Sequence, residues 1–219
     1  AAFRQREADV LVGTQMLSKG HDFPGVTLVG ILQADHGLGM PDLRAAERTF
    51  QLLTQVSGRA GRGDRAGRVL VQAYAINHPA IAFAAQHDYA GFAAWELEKR
   101  QQLGNPPFGF LALVRFSGAD AVAVQRRAEA IGGFVRVCVD GVAQKQAAGG
   151  GRAPLTMLGP MPSMVERVNK KVRWQLLIRA TSRPPLRWLL KQLRPRLGLD
   201  GSGDFKTSAM LDVDPQTLL

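Results

Sequence analysis

The feature that most constrains this chain is the pair of prolines in NPPFGF, residues 105–110. Proline fixes its own φ, lacks an N–H, and pushes the residue before it out of the helical region. Neither a helix nor a central strand runs through such a site. The break divides the 219 residues into two segments, 1–104 and 105–219, each of which must bury a core of its own. With 46% apolar residues the chain has the material for both.

The two segments are patterned differently. In the first, ADVLVG (8–13), TLVGILQA (27–34) and GRVLVQAY (67–74) are short, near-continuous apolar runs. Such runs predict strands covered on both faces. Between the second and third, Leu43, Ala46, Phe50, Leu53 and Val56 recur at helical spacing, and Asp42 after Pro41 is placed to cap that helix. Strand, crossover helix and strand predict an α/β layer with parallel strands. Residues 78–104 predict one or two helices ending at Gly104.

In the second segment, 110–118 predicts a strand, 120–146 mostly helix, and AAGGGRAP (147–154) a flexible loop. Residues 155–168 predict an irregular strand, 170–181 a strand, 184–198 a helix stopped by Gly198, and 208–215 a last strand. The order β-α-β-β-α-β is that of a ferredoxin-like α+β domain. Such a domain covers one sheet face with helices and is expected to leave the other free. In 171–179, Val172, Trp174, Leu176 and Ile178 point one way, while Lys171, Arg173 and Arg179 share the opposite face. On the next helix Arg187, Lys191 and Arg194 form a stripe, which reads as an ordinary solvated face.

Charge separates the halves. Residues 1–103 hold 11 basic and 10 acidic side chains; residues 104–219 hold 17 and 8. Nearly all of the net +10 therefore lies in the second half. Such asymmetry points to a polyanion, most often nucleic acid, with a basic surface that has no partner as the alternative. Together with the shared strand face it predicts phosphate contact through Lys171, Arg173 and Arg179. Cys138, the only cysteine, sits among apolar neighbours and reads as a small buried hydrophobe rather than a catalytic thiol. No disulfide forms within a chain with one cysteine, which is compatible with a reducing cytoplasm, the expected location. The four histidines lack zinc-ligand spacing, so no metal is expected here. No apolar run approaches the ~20 residues of a membrane span, and the N-terminus has no signal-peptide pattern. The chain begins without Met, in the middle of a pattern, and a fragment is the expectation.

Two stretches carry chemistry. GTQMLSKGHDFPG (13–25) follows the first predicted strand, and loops at the C-terminal edge of a parallel sheet gather ligands. Thr14 and Gln15 offer hydrogen-bonding groups, Ser18 and Lys19 suit phosphate, Gly20 permits close backbone approach, and Asp22 can accept from a ribose hydroxyl or orient an arginine. Alone, this reads as an ordinary βα loop. QVSGRAGRG (55–63) places Gln55, Arg59 and Arg62 at near-helical spacing, so that all three face one side. Phosphoryl transfer needs a permanent positive charge where the γ-phosphate departs, and an arginine finger supplies it. A basic glycine-rich turn, or an RGG-like nucleic-acid contact, is the alternative.

QVSGRAGR resembles motif VI (QxxGRxGR) of superfamily-two helicases, and GTQMLSKGHDFPGV resembles their motif V. The longer string from VLVGTQM to SGRAGR, followed in order by NPPF, VRWQ and LDVDP, resembles the primosomal replication-restart (PriA) helicase family over essentially the whole chain. The resemblance implies part of a RecA-like helicase lobe followed by a smaller C-terminal α+β domain. It implies that Arg59 and Arg62 contact ATP phosphates, with Arg62 as the finger, and that Gln55 helps hold that site. Gly20 and Asp22 would lie on the nucleotide side of motif V. Thr14, Gln15 and Lys19 would meet the DNA backbone. ATP with Mg2+ is the implied cofactor.

No GxxxxGK[ST] loop and no acidic magnesium-binding box occur in this sequence. In the family these lie on a first lobe that would precede residue 1, and the zinc-binding cysteines lie upstream of motif V. The implied activity is ATP-driven 3′ to 5′ translocation on DNA in replication restart, with forked and single-stranded DNA, the single-strand-binding protein and other primosome proteins as partners. This chain alone is expected to be inactive. The rival reading is a stand-alone DNA-binding or adaptor module derived from a helicase; a third is a related helicase acting on RNA.

Overall fold

A computed structural model describes residues 3, 5, 7–14, 25–58, 60, 66–146, 153–199 and 207–218. The chain forms two compact units, Ala1–Leu97 and Glu98–Leu219. Each is described by itself.

In the first unit, β1 (Leu28–Ile31) and β2 (Arg68–Val71) pair in parallel, Leu28 opposite Arg68 and Ile31 opposite Val71. The crossover carries α1 (Ala45–Ser57), as the sequence predicts. Phe50 and Leu53 of α1 are buried, and Phe50 stacks on Phe92 with ring centroids 4.2 Å apart. Asp42 does not cap α1 but lies two residues before the cap. The helix cap is Arg44, whose N–H donates to the Asp42 carboxylate at 2.9 Å, and Arg48 pairs with the same carboxylate at 3.1 Å.

Residues 78–104 form two helices, α2 (Pro79–Ala85) and α3 (Tyr89–Leu103). His78 Nδ1 accepts from the Ala80 N–H and caps α2, with Pro79 in the first turn where its missing N–H costs nothing. Asp88 Oδ1 accepts from the Gly91 N–H at the start of α3. Gly104, with φ +63°, follows its last residue.

Two expectations for this unit are overturned. Residues 8–14 form no strand, and Val10 and Val12 are 75% and 87% exposed. An apolar run becomes a strand only where another strand pairs with it, and β1 and β2 pair with each other alone among the described residues. Nor is the sheet covered on both faces. Ile31 and Val71 pack against the helices, whereas Leu28 and Leu70 on the other face are more than half exposed.

The second unit is a four-stranded antiparallel sheet in the order β4-β5-β3-β6. Its elements are β3 (Phe110–Gly118), α4 (Ala121–Gln146), β4 (Leu155–Val168), β5 (Lys171–Ala180), α5 (Arg183–Arg196) and β6 (Ser208–Val213). Both the β-α-β-β-α-β sequence and the placement of both helices on one sheet face match expectation. Val124, Ala128, Ile131 and Val135 form the buried stripe of α4; Leu186, Leu189 and Leu193 form that of α5. Even-numbered residues of β3 and β5, such as Val114, Phe116, Leu176 and Ile178, meet these stripes. Asp120 caps α4 by accepting from the N–H groups of Val122 and Ala123. At Gly132 the helix lies so close to β4 that a Cβ there would come within 2.5 Å of the Pro160 ring. Arg127 of α4 donates to the Leu197 carbonyl at 2.9 Å, to Thr207 Oγ1 at 2.9 Å and to the Thr207 carbonyl, joining the end of α5 to the start of β6.

The second face of this sheet departs from expectation, since it is not wholly free. Leu111, Leu113 and Leu177, all pointing that way, are 1%, 1% and 4% exposed. After β6 the chain turns over this face. The Asp214 N–H donates to the Leu111 carbonyl at 2.9 Å, and the Arg115 guanidinium donates to the Thr217 carbonyl at 2.8 Å while lying 3.7 Å from the Asp212 carboxylate.

Candidate nucleic-acid interface

Strand β5 holds the basic side chains of interest at its odd-numbered positions, where Leu177 alone is buried. Val172, Leu176, Ile178 and Ala180 are buried, while Lys171 is exposed and Arg173 and Arg179 are half-buried on the opposite face. Cross-strand register puts Arg173 beside Ser117, and Arg179 between Leu111 and Thr156. A two-residue step along an antiparallel strand is about 6.8 Å, so Lys171, Arg173 and Arg179 form a line about 27 Å long. No ion pair among the described residues engages any of the three. Cations so placed, standing over a partly apolar sheet, suit a phosphate chain more than a single carboxylate. The structure thus brings these three predicted residues together on one face. It does not join them to Arg187, Lys191 and Arg194, which are exposed on α5, in the layer on the other side of the sheet.

The motif residues of the first segment are less visible. Thr14 is exposed and outside any regular element. Gln15, Lys19, Gly20 and Asp22 lie outside the described residues. Gln55 is exposed in the last turn of α1, which ends at Ser57 with Gly58 as its cap. Arg59 and Arg62, with which Gln55 is expected to share a face, lie outside the described residues. One exposed carboxamide does not make a phosphate site.

Two anchors were missed in the sequence. Asp35, after β1, accepts from the Ala75 and Tyr74 N–H groups at 2.7 and 2.9 Å, tying together the chain ends that leave β1 and β2. Those bonds, Ala75's first, hold its carboxyl below the ordinary value of 3.8 against an opposing effect of burial. Arg115, which holds the C-terminal turn, is the other. Neither has a local signal, because the partners of Asp35 are 39 and 40 residues away and Thr217 is 102 residues from Arg115. Cys138 is half-buried, and burial raises its thiol above the ordinary 9.0, with Arg196 opposing. Among the described residues no three His, Cys, Asp or Glu side chains gather as a metal site, and no helix is long and apolar enough to cross a membrane.

Comparison with known proteins gives this geometry a context. The family model described as Helicase conserved C-terminal domain matches residues 1–64, and that described as Primosomal protein N C-terminal domain matches residues 101–216. Among curated relatives, the Replication restart protein PriA of Synechocystis sp. is 43% identical over 180 residues, 82% of this chain and 20% of that protein. The protein of the same name from Bacillus subtilis is 42% identical over 193 residues, 88% and 22% of the two chains. That of Haemophilus influenzae is 38% identical over 215 residues, 98% and 27%. The chain thus spans about a fifth to a quarter of the length of these relatives. With a primosomal C-terminal match over more than half its length, preceded by a helicase C-terminal match, the chain belongs to the primosomal protein N (PriA) family and corresponds to its C-terminal portion.

Proposed function

We propose that the chain is the C-terminal part of an ATP-dependent DNA helicase that acts in replication restart, translocating 3′ to 5′ and helping to assemble a primosome at stalled forks. The observation that carries this reading is the joining, in one chain, of a helicase C-terminal match ending in QVSGRAGRG with a basic β-α-β-β-α-β unit of the primosomal family. The division of labour we propose follows the NPPF break. Residues 1–104 contribute part of the second lobe, and residues 105–219 form the domain that meets DNA.

In this reading Arg62 stabilises the charge developing on the departing phosphoryl group, Arg59 holds the phosphates, and Gln55 orients the site. Gly20 and Asp22 line its motif V side, while Thr14, Gln15 and Lys19 track the DNA backbone. The phosphate loop, the Mg2+-binding acids and the zinc-binding cysteines belong to segments absent from this sequence. Forked and single-stranded DNA, the single-strand-binding protein and other primosome proteins are the proposed partners, in the cytoplasm. The chain by itself neither holds ATP tightly nor hydrolyses it.

The test is ATP hydrolysis stimulated by forked DNA in the full-length protein. Replacing Arg62 with Ala lowers the rate by about 10³-fold or more, the usual effect of losing an arginine finger, with fork affinity retained. Full activity in that variant, or turnover by this chain alone, contradicts the assignment. Binding of DNA without ATP turnover by the intact protein favours the adaptor module.

A further inference from the structure

The end of the β4–β5 hairpin is unlike the rest of the sheet. From Leu155 to Pro162, β4 follows β5 through one irregularity, and Pro162 stands opposite Trp174. Pairing resumes only at Arg167 with Val172 and Val168 with Lys171. Four residues of β4, Ser163–Glu166, therefore stand against the single residue Arg173. An excess of this kind bends a ribbon away from its sheet. The tip closes tightly at Asn169 and Lys170, both in the left-handed region with φ of +49° and +64°, as a two-residue hairpin turn requires.

The side chains on this tip combine two chemistries. Met164, Val165 and Val168 are 49%, 46% and 38% exposed, and none joins the core under α4 and α5. Three exposed apolar residues thus fall within five positions at this hairpin tip. Around them stand the exposed Arg167, Lys170 and Lys171, with Glu166 as the only acid from Ser163 to Val172. The cations continue along β5 through Arg173 to Arg179. Phosphates complement the cations, and stacked bases are the apolar surface that lies beside phosphates. Apolar wedges flanked by Lys and Arg open base steps in this way.

We propose that the β4–β5 tip is a wedge that presses Met164, Val165 and Val168 against the first base pair of a DNA junction, while Arg167, Lys170 and Lys171 hold the flanking phosphates. The junction is the favoured occupant because unstacking costs least where one side of the pair is already single-stranded. This inference rests on the proposal that the β5 face meets DNA, and it assigns that face a direction. The phosphate backbone runs along β5 and ends at the tip.

The test places 2-aminopurine in the junction pair of a forked DNA and, separately, within its duplex arm. Binding of the chain raises the fluorescence at the junction and not in the arm. Met164→Ser with Val165→Ser and Val168→Ser loses that rise at chain concentrations that saturate the fork. Met164→Ser alone, with far-UV CD as a control, loses part of it. Lys170→Ala with Lys171→Ala weakens binding and lowers the slope of log K against log salt by about 2. Binding without a rise at the junction, or a rise that survives the triple Ser variant, overturns the wedge and leaves the phosphate face standing. Absence of DNA binding overturns both.

Discussion

Adjacent glycines in α4 make a sharp test of how that helix seats on the sheet. Gly132 and Gly133 both lie in the helix interior, where Ala is better than Gly by about 0.8–1.0 kcal/mol. Intrinsic propensity therefore predicts the same gain from Gly132→Ala and Gly133→Ala. The surroundings differ. A Cβ at Gly133 meets nothing within 4 Å. One at Gly132 would stand 2.5 and 2.7 Å from Cδ and Cγ of Pro160. Carbon atoms pack at about 3.5–4.0 Å, so helix or strand must give way by about 1 Å. The proline ring cannot rotate aside, and moving α4 lifts Val124, Ala128 and Val135 off the core. Overpacking of this kind costs about 1–3 kcal/mol, which exceeds the propensity gain. Gly132→Ala is expected to destabilise by about 1–2 kcal/mol and Gly133→Ala to stabilise by up to about 1 kcal/mol. Urea unfolding followed by far-UV CD and tryptophan fluorescence reads this as midpoint shifts of opposite sign, each about 0.5 M, with the slope unchanged. If both variants gain stability equally, the close approach of α4 to β4 at Pro160 is wrong.

Two further perturbations probe anchors that join distant parts of the sequence. Arg127→Met keeps the aliphatic stem and removes the donors to Thr207 and Leu197, so it should cost about 2–3 kcal/mol in the same urea assay; a cost below about 0.5 kcal/mol refutes the link. Asp35 has a folded pKa below its ordinary 3.8, so its bonds to Ala75 and Tyr74 stabilise the fold above the ordinary carboxyl range, and that contribution is lost as pH falls through the depressed value. Asp35→Asn should therefore be less stable than the parent at neutral pH, with the gap closing in acid; a gap that stays constant with pH refutes the charged role of Asp35.

Local patterns carried most of the second unit. The FLALVRF run, the apolar stripe of α4 and the Gly198 stop are each written within a few residues, and β3, α4 and α5 formed where they were expected. What failed depended on partners elsewhere. Residues 8–13 have the composition of a strand but pair with no strand among the described residues. The covering of the second sheet face has a local signal in the sequence. In β3, Leu111 and Leu113 are apolar as well as Ala112 and Val114, and a strand apolar on both sides is covered on both sides. Which segment does so was not legible, since Thr217 meets Arg115 only through the fold. The candidate site was legible on β5, where alternation alone puts Lys171, Arg173 and Arg179 together. The arginines of motif VI rest on spacing and resemblance, because they lie outside the described residues.

The central claim is that this basic face binds DNA. Fluorescence anisotropy of the chain with single-stranded, duplex and forked DNA across a salt series tests it most directly, with the Lys171→Ala, Arg173→Ala, Arg179→Ala variant beside the parent. The account predicts binding that weakens steeply with salt, and a variant whose slope of log K against log salt is shallower by about 2–3, each lost phosphate contact removing about 0.7–0.9. An unchanged affinity and an unchanged slope in the variant would contradict it.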